Sequence, residues 1–430
     1  MVQTVEMHVT FSEALRTWLK IGCLGFGGPA GQIALMHRIL VDEKKWVEEQ
    51  RYLHALNFCM LLPGPEAQKL ATYVGWLLHG VRGGLAAGIL FVLPGALVML
   101  AFSLLYVMGQ GIPVVDGALL GIKAAVLVIV VEALIRIGKR ALKTRLLVGL
   151  AGAAFVGIFF LDLPFPLIVV IAGVVGFFAS PAKESHSAAP IPGRWRQAGI
   201  AVAVGLALWW LPVLLCVMVL GKQHVFVDIG IFFSKLAVVS FGGAYALLAY
   251  MAQQAVETYG WMSAAEMVDG LGLAETLPGP LIKVTQFVGF LGAWRSPEPF
   301  SPVTSAVLGS ALTTWVTFVP PMLLIFAGAP FVEQLRANQR LSGALAAITA
   351  AVVGVVLNLT VWFALHVLFP AVTEMRAGPL RWYAFDPLAI DVKVTLLAIV
   401  AALLAFVLHR GLVETVAVMA ALGILLRFIL

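Results

Sequence analysis

Leu61-Leu62-Pro63-Gly64-Pro65-Glu66-Ala67-Gln68 ends one helix and begins another inside an apolar stretch. Pro63 cannot continue a helix, and Pro65 suits the first position of a new one, where its missing N–H is no loss. The N–H groups of Glu66, Ala67 and Gln68 then lack intrahelical partners and point out of the helix end. Such an end carries partial positive charge and binds anions. The string returns 215 residues later as Leu277-Pro278-Gly279-Pro280-Leu281-Ile282-Lys283, and the amides of Leu281, Ile282 and Lys283 repeat the arrangement. In hydrocarbon a broken backbone is tolerated only where it faces protein or a water-filled cavity. One such break reads equally well as a proline kink; two at matching positions favour a built site.

The repeat extends well beyond this string. Phe26-Gly27-Gly28 returns as Phe241-Gly242-Gly243, Trp46 as Trp261, and Lys20 as Lys235, all at the same offset of 215. No gap is needed from Phe11 and Phe226 to Gly75 and Phe290. Further on the offset becomes 226, pairing Pro94 with Pro320 and Glu132 with Asn358, so 11 residues are inserted near 295–304. A duplicated hydrophobic chain with helix breakers at matching positions is the pattern of a secondary transporter.

Composition agrees. The chain is 61% hydrophobic and 12% charged, with a mean hydropathy of +1.00, where soluble domains hold roughly 45–50% apolar and about 25% charged residues. Nine apolar runs (84–108, 116–137, 146–160, 164–180, 198–220, 304–328, 341–368, 387–408 and 412–430) are long enough, or nearly so, to cross a bilayer core of about 30 Å. Four more segments are interrupted: 11–28, 53–80, 226–243 and 266–294. Counted as one crossing each they bring the total to 13, and re-entrant hairpins are the alternative. The net charge of +6 sits mainly in loops and is no nucleic-acid signal. Cys23, Cys59 and Cys216 lack the spacing of a disulfide frame or a zinc site. Gln3, Glu6 and His8, with no small-residue cleavage site, predict no removable signal peptide.

Loop charge orients the segments. Arg136, Lys139, Arg140, Lys143 and Arg145 mark a cytoplasmic loop, and Lys183, Arg194 and Arg196 lie on the same side two crossings later. Residues 109–115 carry no basic side chain, whereas their counterpart 329–340 carries Arg336 and Arg340. The halves are therefore expected to be inverted, with 198–220 as the odd crossing between them. The N-terminus is expected inside and the C-terminus outside; Arg376, Arg381 and Arg427 then fall outside, against the rule. Trp46 and Trp261 read as interfacial anchors.

Several side chains invite chemistry. Lys20 and Lys235 each stand six residues before a Phe-Gly-Gly in an apolar segment, where a lysine costs about 2.5–3.5 kcal/mol and usually faces a cavity or a partner. Snorkelling to the interface is the bland explanation. The glycine pairs admit close approach of a backbone or a ligand, or simply close helix packing. Lys69 and Lys283 add positive charge after the breaks, and Gln68, Thr72, Thr285 and Gln286 are candidate hydrogen-bond donors. Glu66 either favours its helix start electrostatically or couples protons. Glu132 can pair with Arg136 one turn on; Lys123, in the same helix, has no such partner. No P-loop, HExxH or GxSxG is present, so no ATP site, catalytic group, metal or other cofactor is expected.

Lys20-x5-Phe26-Gly27-Gly28-Pro29, the 61–68 string, and their returns as Phe241-Gly242-Gly243 and Leu277-Pro278-Gly279-Pro280-x6-Phe287-Val288-Gly289 resemble the chromate ion transporter family, in its long form with two fused repeats. The resemblance covers nearly the whole chain, and the Pro-Gly-Pro-Glu-Ala-Gln string within paired repeats is specific. It implies export of chromate across the bacterial inner membrane and resistance to it, with sulfate, of the same shape and charge, as the alternative substrate. In the second half Leu281 replaces Glu66, Lys283 replaces Gln68 and Ala244 replaces Pro29, so symmetric function of the halves is not implied.

The expectation is thus an all-α polytopic membrane protein of two inverted repeats: residues 1–197, a linker helix at 198–225, and 226–430. The oxyanion site is expected to draw on Lys20, Phe26, Gly27, Gly28, Gly64, Pro65, Glu66, Ala67 and Gln68 from the first half. The second half would supply Lys235, Phe241, Gly242, Gly243, Gly279, Pro280, Leu281, Ile282 and Lys283. Glu66 is the candidate proton-coupling group. The expected partners are chromate and the lipid bilayer, with no nucleic acid; the sequence leaves the oligomeric state open, a homodimer included.

Overall fold

The computed structural model describes residues 9–26, 28–180, 194–240, 244–328 and 339–429. In the first half α1 (Phe11–Leu24), α2 (Gly28–His37, extended by a π-turn at Arg38–Glu43) and α3 (Glu49–Leu61) precede α4 (Glu66–Gly109), α5 (Pro113–Ala141), α6 (Arg145–Leu161) and α7 (Phe165–Ala179). Helix α8 (Arg194–Leu220) joins the halves. The second half repeats the order as α9 (Val225–Val238), α10 (Ala244–Gln253), α11 (Ala264–Thr276), α12 (Val284–Arg295), α13 (Pro302–Gly328), α14 (Gln339–Leu368), α15 (Val392–Ala402) and α16 (Leu412–Ile429). Among the described residues six helices are long and apolar enough to cross a membrane. The chain is a multi-pass, helical membrane protein.

Two features depart from the sequence reading. A two-stranded antiparallel hairpin, β1 (Val372–Ala377) and β2 (Leu380–Phe385), interrupts the helices between α14 and α15. It holds two of the three arginines that loop charge alone misplaces, Arg376 and Arg381; Arg427 lies in α16. Arg381 is only 2% exposed, lies 2.9 Å from the Asp162 carboxylate and donates to the Ile158 carbonyl at 2.7 Å. A buried arginine answered by carboxylates and carbonyls anchors a hairpin and says nothing about membrane side. Trp261 is buried too, stacked on Tyr259 with ring centroids 4.3 Å apart, so it is a packing residue and not an interfacial anchor. Residues 181–192, a stretch rich in Ala, Ser and Pro that reads as a linker in the sequence, lie outside the described residues.

Helix α4 bends sharply at His79 and Gly80, where Gly80 adopts φ 60° and ψ −150°. Its two arms, 66–78 and 81–109, then lie against each other: a Cβ on Gly83 would meet the Gly75 carbonyl oxygen at 2.2 Å. The inserted residues of the second half fall at the corresponding place, between α12 and α13.

The halves interlock. Helix α5 packs along α16, and α14 packs along α7 and α6. Small residues at both crossings let the backbones touch. A Cβ on Gly121 would stand 1.8 Å from the Met419 oxygen, and one on Gly423 2.2 Å from the Gly117 oxygen. At the other crossing a Cβ on Gly176 would stand 2.4 Å from both the Gly343 oxygen and the Ala347 Cβ. Gly117 and Gly121 occupy the same repeat positions as Gly343 and Ala347, so the two crossings are copies of one another.

Helix α1 buries Ala14, Thr17, Trp18, Ile21 and Gly22, spaced three and four residues apart, and turns Arg16, Leu19, Lys20 and Cys23 outward. Helix α8 exposes Ile200, Val204, Leu208, Leu211 and Met218, as a helix bathed in lipid tails does.

Candidate functional site

The two Pro-Gly-Pro breaks have nearly the same backbone. Leu62 and Leu277, which cap α3 and α11, are both extended, at φ −98°, ψ 148° and φ −97°, ψ 155°. Gly64 has φ 106° and Gly279 has φ 92°, a region open to glycine and strained for other residues. Pro65 and Pro280 then open the next helix at φ −60° and φ −58°.

Each break is held by the opposite half. The Gly64 N–H donates to the Ser240 carbonyl at 2.9 Å, and the Gly279 N–H donates to the Gly25 carbonyl at 2.9 Å. Ser240 and Gly25 are themselves repeat equivalents. The walls match as well: Gly64 sits against the Pro321 ring and Gly279 against Gly95, again at equivalent positions. Gln32 adds a third tie, its side-chain amide donating to the Gly25 carbonyl at 3.1 Å and the Gly279 carbonyl at 2.7 Å.

Between the breaks lies a small cleft. Gly64, Pro65, Glu66 and Ala67 line one side, Pro280, Leu281 and Ile282 the other, and Pro29, Gln32 and Ser240 close it. Seven of the residues singled out in the sequence therefore meet, from two strings 215 apart. Gln32 and Ser240 carry no motif and were missed; Ser240 is legible only as the repeat partner of Gly25.

The remaining candidates sit elsewhere. Lys20 and Lys235 are exposed and do not line the cleft. Phe26 is 39% exposed, and Gly28, at φ 70°, opens α2. Gly27, Phe241, Gly242 and Gly243 lie outside the described residues. Gln68 is buried, and its amide donates to the Phe318 carbonyl of α13 at 3.0 Å. Gln286 makes the reverse link, from α12 to the Ala96 carbonyl of α4 at 2.9 Å. Thr72 and Thr285 donate to carbonyls of their own helices, at Gln68 and Ile282. Gln68 and Gln286 thus bind helices together, Thr72 and Thr285 bond locally, and none of the four lines the cleft. The Lys283 N–H is also taken, donating to the Pro280 carbonyl at 3.0 Å, which leaves the amides of Leu281 and Ile282 at that helix start.

Two buried lysines, Lys69 and Lys283, stand next to the breaks. Lys69 Nζ donates to the Leu62 carbonyl. Lys283 Nζ donates to the Leu277 carbonyl at 2.8 Å and the Gly279 carbonyl at 3.2 Å. Leu62 and Leu277 are repeat equivalents, although the lysines are one position out of register. Each ammonium thus caps the helix that ends at a break and stands behind the start of the next. Two helix starts, two buried lysines behind them and one carboxylate, Glu66, thus meet at one cleft.

The Chromate transporter family model matches the chain twice, over residues 12–177 and 227–426. A chromate transport protein of Pseudomonas aeruginosa is 32% identical over 364 residues, 82% of this chain and 81% of that protein. A chromate transport protein of Cupriavidus metallidurans is 26% identical over 81% of each chain. An uncharacterised transporter of Bacillus subtilis is 28% identical over 180 residues, 40% of this chain but 90% of the relative, the size of a single repeat. No solved structure matches. The chain belongs to the chromate transporter family.

Proposed function

We propose that this member of the chromate transporter family carries chromate, a divalent tetrahedral oxyanion, out of the cytoplasm through the cleft between its Pro-Gly-Pro turns. The observation that carries the reading is the meeting of two broken helices in one cleft, each tied to the other half through Gly64–Ser240 and Gly279–Gly25. The amides of Glu66, Ala67 and Gln68, with those of Leu281 and Ile282, supply donors for the oxyanion. Lys69 and Lys283 add positive charge from behind. Lys20 and Lys235 act at longer range, as part of the field that draws anions in. The two Phe-Gly-Gly elements join this reading through the repeat in the sequence alone. Glu66 is the proton acceptor nearest the anion.

In the membrane we propose nine crossings and four half-depth hairpins in place of thirteen crossings. Six long helices and the three shorter apolar ones, Arg145–Leu161, Phe165–Ala179 and Val392–Val407, make up the nine. The outer ends of α1, α2, α3 and the first arm of α4 meet one another: His79 with the Val9 carbonyl at 2.8 Å, Lys44 with Glu13 at 2.7 Å, and His37 with Glu49. Their inner ends meet the second half, which fits two hairpins entering and leaving on one side. In the second half the outer ends meet likewise, His224 with the Glu298 carbonyl at 2.7 Å and Arg295 with Glu266 at 2.6 Å. Tyr106, near the end of α4, lies by Asp269 of that group, and Gly328, at the end of α13, lies by Phe58 of the first. These contacts support opposite sides of entry and hence inverted repeats, bounded at 1–197, 198–225 and 226–430. Loop charge then sets the N-terminus in the cytoplasm and the C-terminus outside the inner membrane. Rocking of one half on the other about the shared turns would alternate access.

The membrane potential favours export. It acts on a dianion with about 4.6 kcal/mol per 100 mV, so at roughly 150 mV about 7 kcal/mol, a concentration ratio near 10⁵, is available without ATP. The test is chromate flux into proteoliposomes under a potassium–valinomycin potential, with excess sulfate as competitor. Potential-driven flux that sulfate barely slows is the expected result. Sulfate movement with no chromate flux would overturn the substrate assignment, and flux indifferent to potential would overturn the energetics.

A further inference from the structure

A second charged cluster lies away from the cleft and has no role in the mechanism above. Asp269 of α11 is 3% exposed. Its Oδ2 accepts from the Tyr106 hydroxyl of α4 at 2.9 Å, and Lys123 Nζ of α5 stands 3.4 Å from the same oxygen. Its Oδ1 is buried with no hydrogen-bond partner. One carboxylate of the second half thus ties two helices of the first and leaves half of its acceptor capacity unused. Such a vacancy is costly unless the site does something with it.

The surroundings connect this carboxylate to the cleft. Helix α11 runs on into Leu277-Pro278-Gly279, the turn that leads to Pro280 at the cleft. Around Asp269 it lies directly on α5: a Cβ on Gly272 would stand 2.1 Å from Ile122. The other charges nearby are taken up elsewhere. On α11 itself Glu266 is held by Arg295 of α12 at 2.6 Å, and Glu275 faces Lys283 electrostatically. On α16 Glu414 pairs with Arg410 at 3.1 Å. Helix α14 carries no acid or base from Leu341 to Leu365. Among the described residues Tyr106 and Lys123 answer Asp269 from the helices packed against it, and Asp116 of α5 and Arg427 of α16 make no bond or ion pair with it. The Lys123 side chain is 26% exposed, so it keeps contact with solvent if the pair opens.

We propose that Asp269 is a proton-binding latch. A proton from water on the Tyr106 side of the molecule bonds to Oδ1 and converts the carboxylate to a carboxylic acid, while Lys123 keeps its own proton. Loss of the anionic charge loosens α11 from α4 and α5 and frees the Pro278-Gly279-Pro280 turn to move; return of the proton to water resets the latch. Proton binding on that side is thereby coupled to the opening of the cleft. The inference rests on the transport reading above and makes Asp269, remote from the anion, a coupling group distinct from Glu66.

The test compares wild type with Asp269→Asn and Tyr106→Phe in proteoliposomes. Chromate flux is measured as the external pH is varied, the titration of chromate itself acting equally on all three proteins. Expected is a pH-dependent flux in wild type and a flat profile in Asp269→Asn. In Tyr106→Phe the midpoint moves to higher pH by about one unit or more, because a donor to the charged form is lost. A wild-type profile in Asp269→Asn, or an unmoved midpoint in Tyr106→Phe, overturns the proposal. If Asp269→Asn does not fold, the Tyr106→Phe midpoint decides. A second readout needs no substrate: the infrared difference spectrum of reconstituted protein between alkaline and acidic buffer. A protonated-carboxyl band that vanishes in Asp269→Asn, or shifts in Tyr106→Phe, supports the latch, and a band unchanged in both refutes it. If no protein moves chromate, the transport reading has failed, and the infrared band still decides the latch.

Discussion

Replacing Gly64 with alanine probes the turn on which the cleft is built, and its repeat partner Gly279 supplies the control. Gly64 has φ 106°, where a residue with a Cβ pays about 1–3 kcal/mol in backbone strain. The new methyl would stand 2.5 Å from Pro321 Cγ and 2.8 Å from Pro321 Cβ. A proline ring cannot rotate aside, so overpacking adds about 1–3 kcal/mol. The sum for Gly64→Ala is about 2–6 kcal/mol. Gly279 has φ 92°, but the nearest atom to its methyl would be the Gly95 Cα at 3.3 Å, so Gly279→Ala carries little beyond the strain, about 1–3 kcal/mol. The two substitutions are chemically identical and sit at equivalent positions, yet the first should be the more damaging. Thermal unfolding of purified protein in detergent and initial chromate flux in proteoliposomes both read the difference. Adding Pro321→Ala to Gly64→Ala should recover the steric part and leave the strain. Equal damage in the two single variants, or no recovery in the double variant, would refute the description of the turn.

Gly121→Ala and Gly176→Ala force apart the two helix crossings that lock the halves together, and each should lower the unfolding temperature by an amount equivalent to about 1–3 kcal/mol. Lys69→Met and Lys283→Met each leave a carbonyl without its donor, at about 1–3 kcal/mol. Both should raise the KM for chromate, Lys283→Met more so because its ammonium also holds the Gly279 carbonyl. Lys20→Ala and Lys235→Ala, on exposed faces, should leave unfolding unchanged and weaken the salt dependence of flux; complete loss of transport in either would return these lysines to the binding site.

The duplication, the membrane character, the family and the two helix breaks are all legible in the sequence, because each is a local property: a proline where a helix must stop, an apolar run, a string that returns at a fixed offset. The strongest of these, Pro63-Gly64-Pro65 and Pro278-Gly279-Pro280, also located the cleft. The direction of each lysine was only partly legible. The spacing of Trp18, Ile21 and Gly22 marks the buried face of α1 and leaves Lys20 on the other, a signal that periodicity contained. That Lys69 and Lys283 point inward to cap the helices behind them depended on where α3 and α11 end in space. The pairing of Lys123 with Asp269 and the crossed bonds of Gly64 and Gly279 were not legible at all. Nothing in a helix states which neighbour its buried charge will meet, because that is fixed by how two halves of the chain dock. Only the tertiary structure brings residues more than a hundred positions apart within hydrogen-bonding distance, and there the low dielectric makes the choice of partner matter.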